Sequence, residues 1–273
     1  MNYAGIFSSD RRDRVGFLDE MRGLCIILMV IYHGIFSVVY VFGWDIVLPS
    51  GTRFLSFVFN SLAFRFAQPF VAGIFIFISG IACRYSRSNF KRGLIALAIA
   101  LAVSVVTIYI LPLMFPGYLA IYFGILHFMG TSMILFALLN RALDKLSPGI
   151  GLVICMILFA LTYNAKRGFI GIYGLWEIAL PALWATNGWL IPIGFAAGGA
   201  DHFPLLPWLF LFFAGSYLGV AFVKREMPAF FYRSHSRFFA AAGKRTIIIY
   251  VLHQPAIFGV LYTATLISTR LAG

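Results

Sequence analysis

Long apolar runs separated by short charged clusters give the chain its pattern. Leu24–Trp44 supplies 21 residues without a fixed charge, and Phe66–Cys83 supplies 18. Gly93–Asn140 continues for 48 such residues, long enough for two spans, with a turn signal at Phe115-Pro116-Gly117. Leu146–Ala165, Phe203–Val223 and Thr246–Thr269 complete the series. A spanning helix needs about 20 apolar residues. The pattern therefore predicts an all-α, polytopic transmembrane helix bundle of about seven spans. Residues 168–202 fit less simply, because Trp176, Trp184 and Trp189 alternate with the breakers Pro181 and Pro192. An outer interfacial helix plus a re-entrant or surface loop is expected there, with an extra hairpin of spans as the alternative. No internal repeat or linker stands out. The expectation is one domain over 1–273, with 1–16 as a cytoplasmic arm and 166–202 as the outer interfacial or re-entrant segment.

Composition explains why lipid is the solvent. Of 273 residues, 62% are hydrophobic and 11% charged, whereas a soluble domain carries roughly 25% charged residues. The net charge of +12 does not indicate nucleic acid, because the cations cluster between apolar runs. With the N-terminus inside, Arg11, Arg12, Arg14 and Arg22 face the cytoplasm. So do Arg84, Arg87, Lys91, Arg92, Arg141 and Lys145, and then Lys224, Arg225, Arg233, Arg237, Lys244 and Arg245. That places 16 of the 21 Lys and Arg inside, as the positive-inside bias requires, and leaves the C-terminus outside. Membrane lipids are thus the first partner. The N-terminal stretch lacks the cleavage site of a signal peptide. Cys25, Cys83 and Cys155 sit in separate apolar runs and read as small buried hydrophobes.

Ionisable groups inside spans are costly and mark candidate chemistry. Arg22 and Asp19 fall about 20° and about 40° from His33 on a helical wheel, so the three share a face. Arg22 lies near the inner boundary, and His33 lies roughly 16 Å further along the axis. Asp19–Arg22 reads either as an i,i+3 ion pair reaching the surface or as an anion-binding group. His33 reads either as an interhelical hydrogen-bonding group or as a general base. The fourth span carries Gly124, His127 and Thr131 in an i, i+3, i+7 stripe. The seventh carries His253-Gln254-Pro255, where proline leaves the Val251 carbonyl without its helical donor and predicts a kink. Gly215–Gly219 reads as a helix-contact motif. Asp201 and His202 stand at the outer mouth of the sixth span, where Asp201 either caps a helix or, with His202, meets a sugar hydroxyl or amine. No P-loop, dinucleotide or HExxH signature occurs, and the histidine spacing gives no metal site.

Four stretches together resemble one family. Arg14-Val-Gly-Phe-Leu-Asp-Glu-Met-Arg22-Gly23, with the following run to Tyr32-His33, resembles the opening helix of the heparan-alpha-glucosaminide N-acetyltransferase catalytic-domain family. Tyr122–Gly130, Asp201–Gly219 and Ile249–Pro255 are similar to its fourth-helix, outer and final-helix motifs in its bacterial members. The Arg-Gly opening and the helix-one histidine are also similar to the membrane carbohydrate O-acyltransferases. The resemblance implies a multi-pass acyltransferase of a bacterial inner membrane. It would take an acetyl or other acyl group from cytoplasmic acyl-CoA, as co-substrate, without a metal. The acceptor would be an amine or hydroxyl of an extracytoplasmic glycan or lipid-linked sugar, and a homo-oligomer is one assembly open to it. Lysosomal members place their catalytic histidine in the loop after the first helix, where this chain has Trp44-Asp45. Catalysis then falls to His33 or His127, with His253 among the catalytic residues as a group that orients the acyl group or stabilises the oxyanion, or else the chain is not a catalyst. Asp19, Arg22 and Gln254 would serve the donor, and Asp201 and His202 the acceptor. The rival reading is a transporter or flippase for a lipid-linked or small anionic solute.

Overall fold

The computed structural model describes residues 15–114, 120–196 and 198–272. Most of the expected N-terminal arm and the turn at Phe115-Pro116-Gly117 lie outside them. Seven helices among the described residues are long and apolar enough to cross a membrane. They match the seven expected runs, and the first starts earlier than its apolar stretch. α1 (Gly16–Phe36) takes in Asp19, Glu20 and Arg22 and widens into a π-type turn over Ser37–Val41. Then come α2 (Phe54–Asn60), α3 (Leu62–Cys83) and α4 (Asn89–Val105), the last also running on through a π-type turn at Val106–Ile110. α5 (Ile125–Leu143), α6 (Pro148–Thr162), α7 (Leu205–Val223), α8 (Arg237–Lys244) and α9 (Thr246–Ala272) follow.

The chain divides into two compact units. One holds Ile76–Met227, and the other joins Arg14–Phe75 to Pro228–Gly273. Within the first, helices meet through small residues, because lipid tails give apolar side chains no reason to prefer each other. A side chain on Gly80 would collide with the Phe212 carbonyl, and one on Gly215 with the Phe77 carbonyl. A Cβ on Gly219 would lie 2.9 Å from the Ile81 oxygen. Gly215–Gly219 is therefore the contact motif its spacing indicated. Gly93 and Gly130 interlock α4 and α5 in the same way, each Cβ falling within 3.0 Å of the other's carbonyl oxygen. Arg84, expected as a loop cation, is buried instead. It donates to Asp144 Oδ1 at 2.6 Å and to the Ser216 carbonyl at 2.9 Å. All three cysteines are free and buried.

Residues 169–179 do not form the expected interfacial helix. Phe169–Ile172 (β1) and Trp176–Ala179 (β2) pair as an antiparallel hairpin. Gly168, Gly171 and Gly174 all have positive φ, which suits glycine and interrupts a helix. Single helical turns at Ala182–Ala185 and Gly188–Leu190 then lead towards α7.

In the second unit α1 packs along α8 and α9. Side chains on Gly23 and Gly243 would collide with the carbonyls of Phe239 and Asp19, respectively. The two backbones thus approach through reciprocal glycines.

Candidate functional site

The second unit gathers five of the residues singled out in the sequence. At one end of α1, Arg22 pairs with Asp19, whose carboxylate is buried. The other Asp19 oxygen, Oδ2, has no hydrogen bond among the described residues. Next to it, Glu20 accepts from the Ser234 hydroxyl and the Ser236 amide, both at 2.6 Å, and from the His235 amide. The sequence reading passed over Glu20. Its signal is a second acid beside Asp19 that faces a segment opening a helix with Ser234 and Ser236.

Further along α1, His33 meets α9. Its ring centroid lies 5.1 Å from that of His253. His33 Nδ1 is 3.0 Å from the Met29 carbonyl. A carbonyl only accepts, so Nδ1 carries the proton and the neutral ring keeps its lone pair on Nε2. Among the described residues Nε2 of His33 makes no hydrogen bond. His253 is buried and turns its own Nδ1 to the Tyr250 carbonyl, one residue before the carbonyl that Pro255 releases. The neighbouring Gln254 has a buried Oε1 with no hydrogen bond among the described residues. Here, then, are a fixed imidazole lone pair, a second imidazole and an unanswered amide. Such a set can take up a proton and hold a polar group.

The first unit holds the other three. His127, 4% exposed, accepts the Gly124 amide at Nδ1, 3.2 Å away. Its proton therefore sits on Nε2 and is donated to Ser104 Oγ at 3.1 Å, and Ser104 donates to the Ile121 carbonyl at 2.6 Å. Both ring nitrogens are engaged in tying α4 to the start of α5, which argues against His127 as a free base. Asp201 Oδ2 accepts from the Ile125 amide at 3.2 Å, at the first turn of α5. The lack of a side chain on Gly124 leaves room for it, since a Cβ there would lie 2.7 Å from that oxygen. The helix-cap reading of Asp201 thus gains its partner in α5, not in α7. His202 donates Nε2–H to the Ile191 carbonyl at 3.0 Å. Burial holds its ring below the usual imidazole range, aided by Lys166 and opposed by the Ile191 bond and Asp201.

Among the described residues no three His, Cys, Asp or Glu side chains gather as a metal centre requires. The family model described as heparan-alpha-glucosaminide N-acetyltransferase, catalytic, matches residues 14–255. No significant match was found among curated proteins or among solved structures.

Proposed function

Because the chain belongs to the heparan-alpha-glucosaminide N-acetyltransferase catalytic family, we propose that it carries an acetyl group from cytoplasmic acyl-CoA to an amine or hydroxyl of an extracytoplasmic carbohydrate. The observation that carries the reading is the His33 lone pair, oriented by Met29 and set against His253, the neighbour of Gln254 on α9. His33 Nε2 takes the acceptor's proton as its oxygen or nitrogen attacks the thioester carbonyl. The carbonyl oxygen becomes an oxyanion, towards which the Gln254 amide, turned to present its NH2, donates. Collapse breaks the carbon–sulfur bond, and the departing thiolate recovers the proton from His33. His253 packs against the base and limits its rotation. Arg22 and the other inner cations draw the donor's phosphates to the cytoplasmic end of α1. Asp201 and His202 fix the outer loops.

This reading takes the N-terminus as cytoplasmic and the membrane as a bacterial inner membrane, with the Lys/Arg bias and the family's bacterial motifs in support. The test is His33→Ala, checked for monodispersity and insertion, with labelled acetyl-CoA and a mixed glycan acceptor pool. The expected loss is about 10²- to 10⁴-fold in transfer. Wild-type rates in a folded His33→Ala protein would remove His33 as the base.

A further inference from the structure

The segment between α7 and α9 holds a cavity of about 240 Å³, lined by Ser234, Arg237, Ala240, Ala241, Lys244 and Arg245. Positions 237, 240, 241 and 244 recur every three to four residues and so share one face of α8. The buried Gly243 lies on another face, against α1. Three cations therefore line a space whose remaining wall is alanine and Ser234, the latter with its hydroxyl proton given to Glu20. The acids of this region point elsewhere: Asp19 is taken by Arg22, and Glu20 by Ser234, His235 and Ser236. Among the described residues Arg237, Lys244 and Arg245 form no ion pair. All three are exposed and line the cavity. Converging guanidinium and ammonium groups suit a compact anion with several acceptor oxygens. The small alanine side chains leave its approach open.

We infer that this cavity is a phosphate-ester site. It is fixed by Glu20, whose carboxylate holds the backbone at the start of α8, and its charge comes from Arg237, Lys244 and Arg245. Two sources carry that chemistry. One is the nucleotide end of the acyl donor, an assignment that rests on the proposed function. The other is an anionic lipid headgroup, reached by a helix whose exposed Phe238 suits a membrane surface.

The experiment uses the full chain in nanodiscs of neutral lipid and titrates adenosine 3′,5′-bisphosphate by calorimetry. The proposal expects saturable binding that weakens at least tenfold in the double variant Lys244→Gln, Arg245→Gln and in Arg237→Gln. It expects no change in Arg270→Gln, at the far end of α9. A parallel arm measures retention of phosphatidylglycerol by native mass spectrometry. Loss of lipid in the same variants, with no nucleotide binding by the wild type, keeps the phosphate site and assigns it to the headgroup. Equal nucleotide affinity and equal lipid retention in all four proteins overturns it. Either result leaves the His33 test standing, since that test reads transfer and this one reads binding.

Discussion

His33 and His127 show how a ring's neighbours decide its work. Both lie in helices beside polar partners. Only His33 has one nitrogen directed at a backbone carbonyl and the other left without a hydrogen bond among the described residues. For His127, both nitrogens complete backbone and hydroxyl bonds. His127→Gln should therefore lower stability through the Ser104 and Gly124 bonds, by about 1–3 kcal/mol, and leave the rate per folded molecule largely intact. Thermal melting paired with a transfer assay separates the two effects. His202 gives a pH prediction. Its folded state holds the ring neutral below the usual value of about 6.5, so the unfolded chain binds the proton more readily. Stability should be full above that value and fall as pH drops below it, towards the depressed folded value. The melting temperature of the wild type should fall more steeply between pH 7 and 5 than that of His202→Gln. Equal slopes would show that His202 is not linked to folding. Asp45 is shifted in the same direction, and so also loses its contribution as pH falls, but for the opposite reason: its charged form is favoured. Some desolvation opposes its ionisation, but bonds from the Ser56 hydroxyl and the Leu55, Ser56 and Ile46 amides outweigh it and hold its carboxyl below the usual range.

At the scale of elements, the apolar runs were readable because lipid demands their length, and no shorter element leaves so clear a trace. α8 has only eight residues, and its pattern of Arg237, Ala240, Ala241 and Lys244 is indistinct among the loop cations around it. The β1–β2 hairpin was hidden for another reason. Its aromatic and apolar residues fit an interfacial helix as well as a ribbon, and the three positive-φ glycines decide the matter. The start of α1 was harder to read, because Asp19, Glu20 and Arg22 break the apolar run; Asp19 and Arg22 pair with each other, whereas Glu20 is satisfied by partners far away in sequence. The reciprocal glycines yield a direct test. Gly243→Val places a side chain on the Asp19 carbonyl and should cost about 1–3 kcal/mol. Gly34→Ala meets nothing within 4 Å and should be neutral or stabilising by up to about 1 kcal/mol. Denaturation in mild detergent compares them, and equal effects would deny the close approach of α1 and α8. Arg84→Ala should cost about 1–3 kcal/mol, since it strands the half-buried Asp144 just past α5 and takes a donor from the Ser216 carbonyl within α7.

For the whole molecule, the seven spans set an alternation that labelling can check. In a background without Cys25, Cys83 and Cys155, a cysteine at Lys224 should react with an impermeant maleimide only after the cells are opened. One at Tyr173, in the hairpin turn, should react with intact cells. The reverse pattern would overturn the proposed orientation and the cytoplasmic donor with it. The second unit has a further consequence in time. His33 and His253 are 220 positions apart in the chain, yet their rings lie side by side. A ribosome adding about 5–20 residues per second leaves roughly 10–45 s between them. For most of that interval α1 waits in the bilayer with a buried-type acid and its basic neighbour, before α8 and α9 are made. The proposed site is thus assembled only once α9 has been added, and a chain interrupted before Thr246 should hold His33 without His253 and show no acetyl transfer from labelled acetyl-CoA.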